Sequence, residues 1–142
     1  DENIRRIMTV FRRQFGRLSL ALAAEGDNER AIAAAEKGLA IVPPEKMPYD
    51  YYSLDLAEGL LKAGKKDEAV KIYNDIIDNS VENLEFISSL PAGKLFGLDF
   101  HSGVSLQALY DIYKVAGAEG VTDLADRAAE LLNKYYGEKP QK

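Results

Sequence analysis

Two glycines standing 38 residues apart, each ending one helical pattern and opening another, constrain this chain more than any other feature. Around the first the chain reads Glu25-Gly26-Asp27-Asn28-Glu29-Arg30-Ala31-Ile32, and around the second Ala63-Gly64-Lys65-Lys66-Asp67-Glu68-Ala69-Val70. A helix–turn–helix unit that returns at such a period marks stacked hairpins, because one hairpin cannot bury its own apolar stripe and needs a neighbour. In the first unit Ile4, Ile7, Met8, Phe11, Phe15, Leu18 and Leu22 recur at helical spacing and predict one buried face. Arg5, Arg6, Arg12, Arg13 and Arg17 fall mostly off that stripe. Gly26 suits the left-handed residue that closes a last turn, and Asp27 suits the N-cap of a helix over 28–41. That helix is rich in alanine (Ala31, Ala33, Ala34, Ala35) and can lie close to its neighbour until Pro43-Pro44 ends it.

The second unit opens at Tyr49-Asp50-Tyr51-Tyr52, carries Leu54, Leu56, Leu60 and Leu61, and breaks at Ala63-Gly64. A helix over 66–78 follows, with Ala69, Val70, Ile72, Tyr73, Ile76 and Ile77 inward. A third, weaker copy has Ser102 as a cap for Val104, Leu106, Leu109, Ile112 and Tyr113. It breaks at Gly117-Ala118-Glu119-Gly120, and a helix from Thr122 then bears Leu124, Ala125, Ala128, Ala129, Leu131 and Leu132. Gly120 stands 56 residues beyond Gly64, so extra chain separates the copies. Part of it reads as a short helix over 81–90 with Asn79 and Glu82 in capping-box spacing, and 91–101 reads as an ordered loop. The tail from 137 is polar and predicted to fray.

Composition narrows the function more by exclusion than by assignment. With 18 basic and 23 acidic side chains the net charge is −5, the opposite of a nucleic-acid footprint. There is no cysteine, which removes disulfides, thiolate catalysis and cysteine zinc sites, and a single histidine leaves little room for imidazole chemistry. No apolar run approaches the ~20 residues of a membrane span. The opening at Asp1 reads as the start of an excised fragment, with any signal or anchor upstream.

The hairpins resemble the tetratricopeptide repeat. Phe15, Leu18, Ser19, Leu22, Gly26, Ala31, Ala35, Gly38 and Pro43 stand at that family's packing positions in the first copy. Leu56, Ala57, Leu60, Gly64, Ala69, Tyr73 and Ile76 do so in the second, where Ser53 takes the first large position and no proline closes the repeat. The third matches only through Leu109, Ile112, Tyr113, Gly120 and Ala125. The resemblance implies an all-α, right-handed superhelical stack of about three hairpins in one domain over 1–136. The hairpins would occupy about 3–42, 49–79 and 102–136, with an insertion at 80–101. First helices line the concave groove of such folds, so the resemblance places Arg13, Tyr51, Asp55, Glu58, Lys62, Tyr110 and Lys114 in a partner-binding groove. Mixed charge with tyrosines suits a peptide carrying a polar or charged end. Without the resemblance, Asp55, Glu58 and Lys62 read equally as a solvated helix stripe with an i, i+4 ion pair.

A narrower similarity lies in Phe11-Arg12-Arg13-Gln14-Phe15-Gly16-Arg17-Leu18 and Pro43-Pro44-Glu45-Lys46-Met47-Pro48-Tyr49-Asp50-Tyr51-Tyr52. These runs resemble the C-terminal region of an uncharacterised bacterial family of multispanning membrane proteins similar to protein O-mannosyltransferases. That resemblance implies a non-catalytic docking module on the extracytoplasmic (periplasmic) side of a bacterial inner membrane, part of a glycosyltransferase-like parent whose catalytic residues lie elsewhere. Its partner would be a protein or peptide, or the parent's own membrane-associated region. In the second case the fragment is a rigid structural tail without an external partner. No cofactor, metal or nucleic acid is expected.

The remaining motifs favour plain structural readings. His101 beside Asp99 has the composition of a base pair for proton transfer, but no nucleophile motif stands near it. Asp78-Asn79-Ser80-Val81-Glu82-Asn83 lacks the glycine and glutamate of a calcium loop, and Gly93-Lys94 is too short for a phosphate loop. Five of the seven arginines fall in the first 17 residues, a basic amphipathic pattern that suits an anionic membrane or phosphates and equally suits packing against the acidic remainder of the chain or against a segment upstream. The apolar loop at 95–100 reads as a plug between stacked hairpins rather than an exposed patch.

Overall fold

A computed structural model describes residues 1–91 and 99–136, and among them every regular element is helical. The all-α expectation holds. Helices α1 (Glu2–Ala24), α2 (Asn28–Ile41), α3 (Leu54–Lys62), α4 (Lys66–Ser88), α5 (Asp99–Ala118) and α6 (Thr122–Tyr136) follow in order, and a 3-10 turn at Tyr51–Ser53 leads into α3. The chain forms two compact units, Asp1–Ile76 and Ile77–Lys142, whose boundary falls within α4.

Three turns are built to one plan. Gly26, Gly64 and Gly120 have φ of 84°, 100° and 75°, the left-handed region in which any side chain is strained. The next residue donates its amide to the carbonyl five back: Asp27 to Leu22 at 2.9 Å, Lys65 to Leu60 at 2.9 Å, Val121 to Ala116 at 2.8 Å. This closure satisfies the last orphan carbonyls of each first helix. The amides of Ala31, Ala69 and Ala125 then start each second helix at 3.0 Å from the residue after the glycine. The weak third copy therefore makes the same turn as the two clear ones.

In the first unit α1 packs on both α2 and α3, and glycines set how closely. A Cβ on Gly16 would stand 2.8 Å from the Leu56 amide, and one on Gly59 2.8 Å from Ser19 Cβ. Contacts 16-to-56 and 19-to-59 advance together, so α1 and α3 run parallel. A Cβ on Gly38 would come 2.7 Å from Phe15 Cβ, and Ser19 Oγ donates to the Ala31 carbonyl at 2.7 Å, so α2 runs antiparallel. Ala31, Ala35, Leu56, Ala57, Leu60, Ala69, Tyr73 and Ile76 fill the core. In the second unit the buried set is Ile77, Leu84, Ala108, Leu109, Ile112, Ala116, Val121, Leu124 and Ala128. Ion pairs Arg127–Asp78 at 2.6 Å and Lys134–Glu85 at 3.4 Å lay α6 parallel to the end of α4. Both are exposed and contribute little beyond orientation.

Several boundaries differ from expectation. The helices expected at 66–78 and 81–90 are one, α4; Asn79 and Glu82 lie inside it and cap nothing. No glycine or proline interrupts 66–90, and burial of Ser80 and Leu84 carries the helix across the polar Asp78-Asn79-Ser80 run. Helix α5 begins at Asp99, so Ser102 is an interior residue rather than its cap. The helix expected to open across Tyr49–Tyr52 opens on Asp50, whose carboxylate accepts the Tyr52 amide at 3.0 Å while Ser53 Oγ accepts the Asp50 amide at 3.2 Å. The largest correction concerns α1. Arg12, read as lying off the buried stripe, is fully buried together with Gly16 and Ser19. Ile4, Ile7, Phe11 and Leu18, read as buried, are 56%, 54%, 47% and 49% exposed. Of the loop expected at 91–101 and the patch expected at 95–100, residues 99–101 belong to α5 instead, while 92–98, with Gly93-Lys94, and the tail from 137 lie outside the described residues.

Candidate interaction surface on the first unit

The surface rests on the connection between α2 and α3, which has an unusual hydrogen-bonding problem. Pro43, Pro44 and Pro48 bring no amide hydrogens, so the segment has a surplus of carbonyl acceptors. Arg12 supplies the missing donors from α1. Its Nη2 donates to the carbonyls of Val42 at 2.8 Å and Met47 at 2.7 Å, and its Nη1 to that of Pro48 at 2.9 Å, with Ser53 Oγ at 3.4 Å. The guanidinium also lies 5.0 Å from the centre of the Tyr49 ring. A forked five-donor cation is the one side chain suited to this, since lysine offers a single point charge. Burial lowers the Arg12 pKa, an effect opposed by the neighbouring Asp50 and Tyr49. Burial raises the Asp50 carboxyl, against the Tyr52 amide and Arg12, and it raises the Tyr49 hydroxyl too. Arg12 thus ties the connection to α1 and fixes where Tyr51, Tyr52 and α3 begin.

Beyond that anchor, α3 and the turn that leads into it carry four of the seven expected groove residues, and α1 brings a fifth. Tyr51, Asp55, Glu58 and Lys62 recur at spacings of four, three and four and share the one face of α3 that the core leaves uncovered. Glu58 pairs with Lys62 at 3.2 Å, with side chains 22% and 40% exposed. The Asp55 Cβ stands against Gly16, at the crossing with α1. From α1, the Arg13 guanidinium sits 5.2 Å over the Tyr52 ring, which meets Tyr51 edge-to-face at 5.3 Å. Arg13, Tyr51, Asp55, Glu58 and Lys62 therefore share one surface of the first unit. Tyr110 and Lys114 belong to α5 in the second unit, where Lys114 Nζ lies 5.5 Å over the Tyr110 ring.

Sequence reasoning missed Arg12, Tyr52 and the glycines of the α1–α3 crossing. A signal existed for the last: Gly16 and Gly59 inside helices each cost roughly 1 kcal/mol unless a close approach requires them. For Arg12 the signal was indirect, a proline-rich connection whose carbonyls need a donor from elsewhere. His101 is an exposed residue of α5, and the Asp99 side chain is not among those described. Among the described residues, no three His, Cys, Asp or Glu side chains gather as a metal would need, and no helix is long and apolar enough to cross a membrane. Compared with protein-family models, characterised proteins and solved structures, the chain matches none.

Proposed function

We propose that the chain is a non-catalytic, tetratricopeptide-like interaction module, with the open α1–α3 surface as its partner-binding groove. The observation that carries this reading is that surface. Two parallel helices are held at glycine contacts, and along them stand two edge-to-face tyrosines, a cation over a ring and a partly exposed Glu58–Lys62 pair. Aromatic and arginine anchors placed on rigid elements are the usual carriers of binding energy. In this reading the ligand of the surface is a peptide with a charged or polar end. The module belongs to the extracytoplasmic side of a bacterial membrane protein resembling the mannosyltransferase-like family.

The test is a crosslinking pull-down from bacterial envelope extracts with the chain as bait, beside a Glu58→Ala/Lys62→Ala variant of unchanged helicity. Specific loss of one captured protein with the variant supports the groove. Capture insensitive to the variant removes it, and recovery of only a membrane-embedded parent makes the module a structural tail.

A further inference from the structure

The exposed stripe of α1 is the feature that the groove does not use. Ile4, Ile7, Phe11 and Leu18 are spaced three, four and seven apart, so they form one line along the helix. At 1.5 Å per residue the line is about 21 Å long. Val10, 51% exposed, widens it on the outer side. Beyond Val10 runs a second line, Arg6, Arg13 and Arg17, all exposed. No ion pair satisfies any of these arginines among the described residues; Arg6 donates to Asn3 at 3.1 Å and Arg13 lies over Tyr52. Helix α1 holds five arginines and no lysine against the single acid Glu2.

We infer that this face of α1 is a second docking surface and that its occupant is an amphipathic helix of another polypeptide, with an apolar stripe bordered by carboxylates. The inference shares the edge of α1 that bears Arg13 with the groove reading, but its apolar stripe, Ile4, Ile7, Phe11 and Leu18, lies on another face of the helix and is observed independently of it. Charge selects the occupant: arginine forks pair bidentately with carboxylates, and a stripe with a purely basic border repels a basic partner. A membrane surface fits the same charge but not the layout. Gln14 stands in the middle of the stripe, where an amide finds hydrogen bonds in a helix–helix interface and none among acyl chains. The arginines also border one side only, the other being the protein's own Met8, Phe15 and Leu22, each partly buried. A second copy of the chain docking its α1 antiparallel on this one would set arginine rows against each other.

The test uses the whole chain and two synthetic 18-residue helices. Each carries leucines at a and d positions; one has glutamates at the flanking positions and the other lysines. Fluorescence anisotropy should show the glutamate helix binding at least about tenfold tighter than the lysine helix and weakening severalfold as salt rises. Phe11→Asp should reduce its affinity about tenfold or more, as should Arg6→Glu/Arg17→Glu, with helicity and melting temperature unchanged because these side chains are exposed. Equal binding of both helices, or no binding by the glutamate helix below about 1 mM, overturns the inference. So does Phe11-dependent binding to phosphatidylglycerol-containing vesicles in preference to the glutamate helix, or Phe11-dependent dimerisation of the chain in light scattering.

Discussion

Helices α1 and α6 are both amphipathic, yet they use their apolar faces in opposite ways. In α6 Leu124 and Ala128 enter the core of their unit, while Asp123, Asp126, Glu130, Asn133 and Lys134 face solvent. In α1 the buried line is Arg12, Gly16 and Ser19, and half of the apolar stripe lies in water. Periodicity measures how lopsided a helix is, not which side its neighbours take. The inward side of α1 is chosen by fit. Gly16 lets the α3 backbone approach, Ser19 Oγ satisfies the Ala31 carbonyl, and Arg12 satisfies three carbonyls at once. Helix α6 faces no such demands, so its hydrophobic side turns inward.

Of the side chains that set the inward side of α1, Arg12 carries the most. Arg12→Leu strands three carbonyls, two of them buried, and should destabilise the first unit by about 3–5 kcal/mol, whereas Arg5→Leu on the exposed part of the same helix should change stability by less than about 0.5 kcal/mol. Urea unfolding followed by circular dichroism separates them; an Arg12→Leu loss under about 1 kcal/mol would make the network ornamental. Next come two leucines. Leu124→Ala in α6, at a position 3% exposed, should cost about 2–4 kcal/mol, and Leu18→Ala in α1 under about 1 kcal/mol. Equal losses at the two positions would mean that the α1 stripe is covered.

Two glycines sharpen the contrast at smaller scale. Gly59→Ala drives a methyl into Ser19 and should cost about 1–3 kcal/mol, while Gly117→Ala in α5, with open space around it, should be neutral or stabilise by up to about 1 kcal/mol. The same order of stability for both variants would show that α1 and α3 can separate freely. The smallest effect is a difference in pH response. In the second unit the Tyr135 hydroxyl, and then Lys134, hold the exposed Glu85 carboxyl below its usual range. Its contribution is present above the unfolded carboxylate pKa and lost as pH falls through the folded value. Burial holds Asp50 of the first unit above its usual range, so its contribution is present at low pH and lost as pH rises through the folded value. Melting curves of Glu85→Gln should therefore lie below wild type at pH 7 and converge with it near pH 3. For Asp50→Asn the deviation from wild type between these pH values should run in the opposite sense, and parallel trends for the two variants would remove the distinction.

Much of the architecture was legible in the residues themselves. Local chemistry determines helix identity and the left-handed turns at Gly26 and Gly64, and Asp27 caps α2 as its position implied, accepting the Arg30 amide at 3.2 Å. The turn at Gly120 was legible too, although its flanking text had drifted. The Tyr51, Asp55, Glu58 and Lys62 face followed from spacing alone, because helical period places those residues together whatever surrounds them. The Arg13–Tyr52 stack did not, since it joins residues of two helices through the anchor that Arg12 makes.

The residues alone decide what is settled within a few positions of the chain: most of the helical stretches and how each glycine turn closes. Only the tertiary structure decided that α4 runs unbroken across Asp78-Asn79-Ser80 and that an arginine, a glycine and a serine form the inward side of α1. The physical reason is the same in both cases. Burial and hydrogen-bond satisfaction depend on what a neighbouring segment brings, here the donor-poor prolines of the α2–α3 connection and the close backbone of α3. No local period carries that information.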